Sequence, residues 1–156
     1  MTESDSMTQE LEHFMLNGMP LARAMQLSVG AYDGDHLSLH APLAANINDK
    51  GCAFGGSLGS LMTLAGWGLV TLAMRERGLQ AEVFVANTEA RYLTPLTEDL
   101  HASAQLAVGA DWQRFFDTFA ARGKARIFIA SAVHGADGNA CVQQARFVAK
   151  RCTALD

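Results

Sequence analysis

The sequence lacks the features that mark several large classes of protein. It has no surplus of basic residues, because its formal net charge is −4, and no basic-helix or zinc-finger pattern, so we expect no nucleic-acid partner. Its five histidines are scattered without metal-ligand spacing, which argues against a metal site. We predict no cofactor.

Cysteine is scarce as well. The three cysteines are far apart in the chain, at positions 52, 141 and 152, a pattern typical of reduced thiols in a cytoplasm rather than of a disulfide framework. The start of the chain is acidic and polar, unlike a signal peptide. With 156 residues, 49% of them hydrophobic, the chain is predicted to form one domain over residues 1–156, with residues 1–8 flexible.

Charge is missing altogether from Ala53 to Met74. A run of this length is a candidate membrane span, and Gly55 and Gly59 have the small-xxx-small spacing of packed membrane helices. Against that interpretation, the run is rich in Gly, Ser and Thr, and its flanks have the period-two pattern of β-strands. We therefore predict a long core helix and no membrane span, with Gly78 ending the helix after a charged last turn.

On either side of this helix the sequence predicts short helices and antiparallel strands. The fold class is therefore α+β, with a sheet of about six strands curled around one helix. Exposed sheet edges and a glycine-rich seam predict at least a dimer. The predicted helices are Gln9–Leu16, Pro20–Met25 and a helix capped by Asp111 and closed by Gly123; the predicted strands are a hairpin within Gln26–Ala41, then Glu82–Leu93, Leu100–Val108, Lys124–His134 and Asn139–Lys150.

Strict alternation in the segment from Glu82 to Leu93 places Phe84, Thr88 and Tyr92 on one face of a strand. Val83, Val85 and Glu89 then share the other face. The carboxylate of Glu89 is predicted to point away from the core.

Small residues recur along one face of the predicted core helix. Gly56, Gly59, Thr63 and Gly66 are three or four residues apart and so line one face. A stripe of this kind lets another backbone pack closely, or lets a ligand approach. Thr63 is a separate case, because a buried hydroxyl needs a partner, most often a carbonyl of its own helix.

Two motifs at the ends of these elements carry a family resemblance. The start of the helix reads Asn48-x-x-Gly51-x-x-Phe54-Gly55-Gly56, and the next strand ends in Arg91-Tyr92-Leu93-Thr94-Pro95. Over roughly residues 10–150 the chain resembles the hotdog-fold enzymes of acyl thioesters, in the branch found fused to a bacterial acetyltransferase. Many hotdog thioesterases have N-x-x-G-x-x-H-G-G, followed seven residues later by an acid. Here Phe54 replaces the His, and the acid position falls on Thr63.

The glycines at the helix start have a chemical interpretation. The first N–H groups of a helix have no internal partner and lie at the positive end of its dipole, so Gly55 and Gly56 let a thioester carbonyl approach and be polarised. We predict that Phe54, Gly55, Gly56, Ser57 and Ser60 bind the substrate. Asn48 adds a side-chain donor to this oxyanion hole, or fixes a carboxylate next to the same oxygen, or only closes its own turn beside Gly51.

The absence of an acid in the helix bears on the reaction. Hydrolysis needs a base or a carboxylate nucleophile, and none lies between Ala53 and Met74. Decarboxylation of a β-carboxy thioester needs only an oxyanion hole and a dry pocket. The resemblance agrees, since that branch includes malonyl-acyl-carrier-protein decarboxylases whose functional Asn and Thr match Asn48 and Thr63. A thioesterase is the second hypothesis and a non-catalytic acyl-thioester binding module the third.

The expected partner is an acyl thioester of acyl carrier protein or coenzyme A. A carrier protein is acidic, so docking needs a local basic patch. The residues Arg122, Lys124 and Arg126 are predicted to form it, or alternatively to protect a sheet edge from aggregation. The neighbouring basic residues are Arg146, Lys150 and Arg151.

Overall fold

The computed structural model describes residues 1–153 and has the predicted α+β architecture. A long apolar helix and six strands make up most of it, with shorter helices at the start of the chain and before the last hairpin. The helices are α1 (Glu3–Gly18), α2 (Pro20–Ala24), α3 (Gly55–Glu76) and α4 (Trp112–Arg122), with a 3-10 turn at Leu43–Ala45; the strands are β1 (Ser28–Tyr32), β2 (Leu37–Ala41), β3 (Ala81–Tyr92), β4 (Leu100–Leu106), β5 (Lys124–Gly135) and β6 (Gly138–Arg151).

The six strands form one antiparallel sheet in the order β1-β2-β4-β5-β6-β3. Helix α3 lies against this sheet and contributes the centre of the core, including the fully buried Leu61, Met62 and Leu69. By length and composition α3 could span a membrane, but 67% of its most apolar 18-residue stretch is buried inside the protein. It is a core helix, as the sequence predicts, because the sheet covers its apolar surface.

Helix α1 begins earlier than the sequence predicts. Its N-cap is Thr2, whose hydroxyl accepts a hydrogen bond from the Asp5 N–H while the Asp5 carboxylate accepts one from the Thr2 N–H. This capping box starts the helix at Glu3 instead of Gln9. Most of residues 1–8, predicted to be flexible, therefore lie in a capped helix, and Thr8 is buried.

The alternation predicted for β3 is interrupted by a bulge. The pairing of β3 with β6 shifts between Val85 and Asn87, and an extra residue in one strand reverses the face of every side chain beyond it. Val83 and Val85 therefore share the inward face with Thr88 and Tyr92, so the prediction for these two valines was wrong. Glu89 pairs with the exposed Gln144 on the outward face, which confirms that its carboxylate points away from the core.

The local signals at the last helix and hairpin predicted the structure well. The Asp111 side chain accepts a hydrogen bond from the Arg114 N–H at 3.1 Å and caps α4. Gly123 closes that helix in the left-handed conformation, at φ 68°. The tight turn between β5 and β6 lies at the Gly135 to Gly138 segment, as predicted.

Candidate active site

A cavity of about 590 Å³ opens at the start of α3, against the inward face of β3 and the α2 segment. We call it the entrance cavity. Its wall consists of glycines, hydroxyl side chains, apolar groups and the amide of Gln143. Among residues 1–153, no Asp, Glu, His, Lys or Arg lines it. The lining residues are Met19, Pro20, Leu21, Ala22, Met25, Gly55, Gly56, Gly59, Ser60, Thr63, Leu64, Thr88, Ala90, Tyr92 and Gln143.

Two backbone hydrogen bonds fix where α3 begins. The Ala53 N–H donates to the Leu96 carbonyl and the Phe54 N–H to the Asn46 carbonyl, both at 2.7 Å. Phe54 is the N-cap in an extended conformation, and its side chain makes no capping hydrogen bond. Within the described part of the chain, the first N–H groups of α3 thus have no side-chain cap at the point where Gly55 and Gly56 line the cavity. A bound carbonyl or oxyanion would find donors and a positive dipole end there.

Thr63 finds its partner on the sheet and not in its own helix. Gln143 of β6 donates through Nε2 to the Thr63 hydroxyl at 3.1 Å, whereas the reverse contact, from the hydroxyl to Gln143 Oε1, is 3.5 Å. Gln143 is only 4% exposed, so this amide is held in place. A hydroxyl that accepts from Gln143 keeps its own proton to donate into the cavity.

Tyr92 holds the first turn of α3 from the side of β3. Its hydroxyl donates to the Gly55 carbonyl at 3.3 Å. A side chain at Gly59 would bring a Cβ within 3.2 Å of that hydroxyl oxygen, so glycine is needed for this close approach.

The sequence did not single out Gln143 or Tyr92 as site residues. For Gln143 a signal existed, because a glutamine stands in the inward phase of β6 with the buried Cys141 and Ala145. A polar residue in an apolar register marks a buried hydrogen-bonding role. Tyr92 stands in the motif that carries the family resemblance, but its contact with the helix depends on the three-dimensional packing.

The Asn48 side chain is hydrogen-bonded within its own turn. Its Oδ1 accepts hydrogen bonds from the Lys50 and Cys52 N–H groups at 2.8 and 3.1 Å, and its Nδ2 donates to Cys52 Sγ at 3.2 Å. Asn48 does not line the entrance cavity. One chain therefore does not bring Asn48 and Thr63 into the same cavity, and one N–H of the Asn48 amide has no intrachain acceptor among residues 1–153.

The other predicted binding residues divide into two groups. Gly55, Gly56 and Ser60 line the cavity, whereas Phe54 and Ser57 do not. Phe54 is 56% exposed, and its ring lies over Gly56 at the start of the helix.

The carboxylates nearest in sequence to the site lie elsewhere. Glu89 lies on the outward face of β3. Asp49 is exposed and forms an ion pair with Lys50, with 3.0 Å between Oδ1 and Nζ. Among residues 1–153 no group of three His, Cys, Asp or Glu residues is arranged to hold a metal ion.

The basic residues predicted to dock a carrier lie far from the entrance cavity. Arg122, Lys124 and Arg126 are exposed at the end of α4 and the start of β5. Gln143 pairs with Ser131 of β5, and seven residues of strand, or about 23 Å, separate Ser131 from Lys124. Strand β5 lies inside the sheet and not at its edge, so the alternative role in protecting an edge is wrong.

A second cluster lies on the outer face of the sheet. Ser103 Oγ is 2.8 Å from His134 Nε2, and His134 Nδ1 is 3.0 Å from Asn139 Oδ1. This order resembles a hydroxyl activated by an imidazole. However, Ser103 lies in the middle of β4, which is paired on both sides, so the neighbouring N–H groups are engaged in the sheet and cannot form an oxyanion hole.

The groups with shifted pKa values lie outside the entrance cavity. Burial lowers the pKa of His40, and the neighbouring His101 lowers it further. Burial also raises the pKa of the Cys141 thiol, which makes it a poor nucleophile. The cavity therefore offers fixed dipoles and hydroxyl groups rather than an acid–base pair.

An antiparallel sheet curled around one long helix, with glycines and uncapped N–H groups at the helix start, defines the hotdog class of acyl-thioester enzymes. The chain belongs to the family described as "Putative thioesterase (yiiD_Cterm)", whose model matches residues 8–151. The prediction of the hotdog family is confirmed.

Several solved structures share this fold. A protein of unknown function from Chlorobaculum tepidum TLS is 29% identical, with a TM-score of 0.89 over 96% of this chain and 97% of that one. A protein from Shewanella oneidensis described as a "putative thioesterase" is 24% identical, with a TM-score of 0.81 over 94% and 98% of the two chains. A thioesterase from Haemophilus influenzae is 15% identical, with a TM-score of 0.71 over 92% and 90%. The last two likenesses show the fold alone.

Proposed function

We propose that this acyl-thioester enzyme decarboxylates malonyl-acyl-carrier protein to acetyl-carrier protein. The observation that carries the proposal is the composition of the entrance cavity. It combines the helix-start donors at Gly55 and Gly56 with the Thr63 hydroxyl, and no carboxylate or imidazole among residues 1–153 lines it. Decarboxylation is the thioester reaction that this set of groups suits best, because it requires no general base.

In the proposed reaction, the thioester carbonyl accepts hydrogen bonds at the start of α3. The bond between the carboxylate carbon and C2 breaks, and its electron pair passes through C2 onto the thioester oxygen as an enolate. Carbon dioxide leaves, and C2 then takes a proton from solvent to give the acetyl thioester. Each donor to the enolate oxygen contributes about 100- to 1000-fold to the rate, and the apolar wall favours loss of the carboxylate charge.

Hydrolysis is the alternative reaction, and the family description favours it. A hydrolase would need a base for water, and the intrachain positions of Glu89 and Asp49 do not supply one. A non-catalytic module that binds acyl thioesters is the third possibility.

We also propose that two copies associate through β3. This strand has 12 residues and, within residues 1–153, pairs only with β6, so its other edge has no partner in the described part of the chain. It carries four of the exposed large apolar residues in or beside it, Phe84, Val85, Tyr92 and Leu93. A long apolar edge favours pairing with a second copy. Such a dimer would bring the second copy close to Thr88, Ala90 and Tyr92, the residues of β3 that line the entrance cavity.

The test is to incubate the purified protein with malonyl thioesters of carrier protein and of coenzyme A, and to identify the products by mass. We expect acetyl thioester and carbon dioxide. Free thiol with malonate would establish hydrolysis instead, and tight binding without turnover would leave the binding module. A clear preference for the carrier-bound substrate would support the proposed carrier protein as partner.

A further inference from the structure

A second cavity lies between α3 and β3, further along the helix than the entrance cavity. The two elements run in opposite directions, so Gly59 lies by Tyr92 near the start of α3 and Thr71 shares a cavity with Val83 near its end. That second space, which we call the distal cavity, has a volume of about 530 Å³. Thr63 lines only the entrance cavity, and Trp67 lines only the distal cavity.

Trp67 is the first residue of α3 that lines the distal cavity, whereas Leu64 is the last that lines the entrance cavity. Trp67 lies four residues after Thr63, which is about 6 Å along the same face of the helix. Its Nε1 donates to the Val83 carbonyl at 2.9 Å, so the indole spans from α3 to β3. The β3 bulge places Val83 and Val85 on the side that faces α3.

A second contact holds the indole in place. The Phe14 ring of α1 stacks on Trp67, with 6.0 Å between ring centroids and 15° between planes. The guanidinium of Arg75 lies 5.6 Å from the Phe14 ring centroid. A hydrogen bond on one side and a stacked ring on the other restrict the rotation of Trp67, so its indole is held in one position.

We propose that Trp67 closes the acyl site and restricts it to thioesters with short acyl groups. A chain that enters beside Gly56 and Thr63 meets the indole after about one helical turn. The distal cavity is then space that a longer chain would occupy only if the indole were removed. This inference rests on the proposed thioester site but not on which reaction occurs there.

The test compares the binding of two thioether analogues of acyl-coenzyme A, which cannot be hydrolysed, with acyl chains of two and ten carbons. Calorimetry would give both dissociation constants for the wild type, Trp67→Ala and Trp67→Phe. We expect the wild type to favour the short analogue. Trp67→Ala should shift the ratio of the two constants at least tenfold towards the long analogue, whereas Trp67→Phe, which retains a large ring, should keep the wild-type order.

A second measurement covers the case in which Trp67→Ala does not fold. The chain has two tryptophans. Trp112 can be replaced by Phe without the loss of a hydrogen bond, because its indole N–H is buried without a partner among residues 1–153. In Trp112→Phe the fluorescence comes from Trp67 alone, and we expect the short analogue to shift it.

Three results would overturn the inference. They are equal affinity of the wild type for both analogues, an unchanged ratio in folded Trp67→Ala, and binding of the short analogue without a change in Trp67 emission. If neither analogue binds the wild type, the proposed thioester site itself fails. If an analogue binds and one of the three results above is found, only the proposal for Trp67 fails.

Discussion

At the scale of single residues, two variants of Asn48 can distinguish a structural role of its side chain from a chemical one. Asn48→Asp keeps the oxygen that accepts from the Lys50 and Cys52 N–H groups but removes the side-chain donor. Asn48→Ala removes both. If the amide donates to the substrate, both variants should lose at least about 100-fold in decarboxylation rate, and only Asn48→Ala should lose stability, by about 1 kcal/mol.

Rates with malonyl thioester and urea unfolding would check this prediction. Full activity in Asn48→Asp would show that Asn48 only closes its turn, since that variant retains the turn and lacks the donor.

Thr63 is the second residue whose role can be tested directly, through its hydroxyl group. Thr63→Ser keeps an oxygen that can accept from Gln143 and donate into the cavity, so we expect activity within about tenfold of the wild type. Thr63→Val has nearly the same shape without the hydroxyl and should lose about 100-fold in kcat. It also leaves the buried Gln143 amide without its partner, which should cost about 1–3 kcal/mol of stability.

Measured kcat values at a temperature where both variants are folded distinguish the two effects. Equal rates in Thr63→Val and Thr63→Ser would remove Thr63 from the mechanism and leave it as a packing residue.

At the scale of the helix, the glycines of α3 serve two different purposes. A Cβ at Gly66 would lie 2.6 Å from the buried Phe147 ring, whereas one at Gly55 would lie 3.7 Å from Tyr92, an ordinary contact. We expect Gly66→Ala to destabilise the protein, because overpacking costs about 1–3 kcal/mol against a helix-propensity gain of about 1 kcal/mol.

Gly55→Ala is the matched variant in the same helix. It should keep the stability of the wild type and lose about tenfold or more in activity, because its methyl group intrudes where the thioester carbonyl must approach. Thermal unfolding and the decarboxylation rate would be measured for both variants. A fully active Gly55→Ala would place the oxyanion hole elsewhere.

The elements also show how far the sequence predicts this structure. Helix α3 and helix α4 were predictable because their signals are local: a run without charge, the Asp111 cap and the Gly123 stop. The β3 bulge was not, because the extra residue carries no mark in the sequence and only its pairing with β6 reveals it. The same holds for the Thr63 partner, since Gln143 lies 80 positions away in the chain. Asn48 had more than one chemically sound role, and its sequence context does not choose among them.

At the scale of the whole molecule, the β3 edge makes a prediction about assembly. Phe84 lies on that edge strand and is 50% exposed, while Phe128 lies on the interior strand β5 and is 44% exposed. We expect the wild type to be a dimer in light scattering and Phe84→Lys to shift it towards monomer, because a charge at the edge opposes strand pairing.

The control Phe128→Lys introduces the same charge at similar exposure away from the edge, so it should remain dimeric. A monomeric wild type, or dissociation by Phe128→Lys alone, would contradict association through β3.

The basic residues at the start of β5 give a second prediction at this scale. Reversing charge at Arg122, Lys124 and Arg126 together should reduce the rate on a carrier-bound thioester. The difference in rate between the variant and the wild type should shrink as added salt screens the charges. The coenzyme A thioester of the same acyl group is the internal control, since it has no protein to dock. Equal rates of variant and wild type on the carrier-bound substrate would remove these residues from docking.

The position of β3 in the sheet has a further consequence, which concerns the order of events during synthesis. Strand β3 follows α3 directly in the chain, yet among the described strands its neighbour in the sheet is β6, with Ala81 opposite Arg151. Residues 1–137 can therefore leave the ribosome before the strand that joins β3 to the sheet exists. Closing so long a loop delays the pairing. Until it forms, the apolar side of α3 that lies towards β3 stays exposed, and the nascent chain presents a hydrophobic helix to chaperones during that interval.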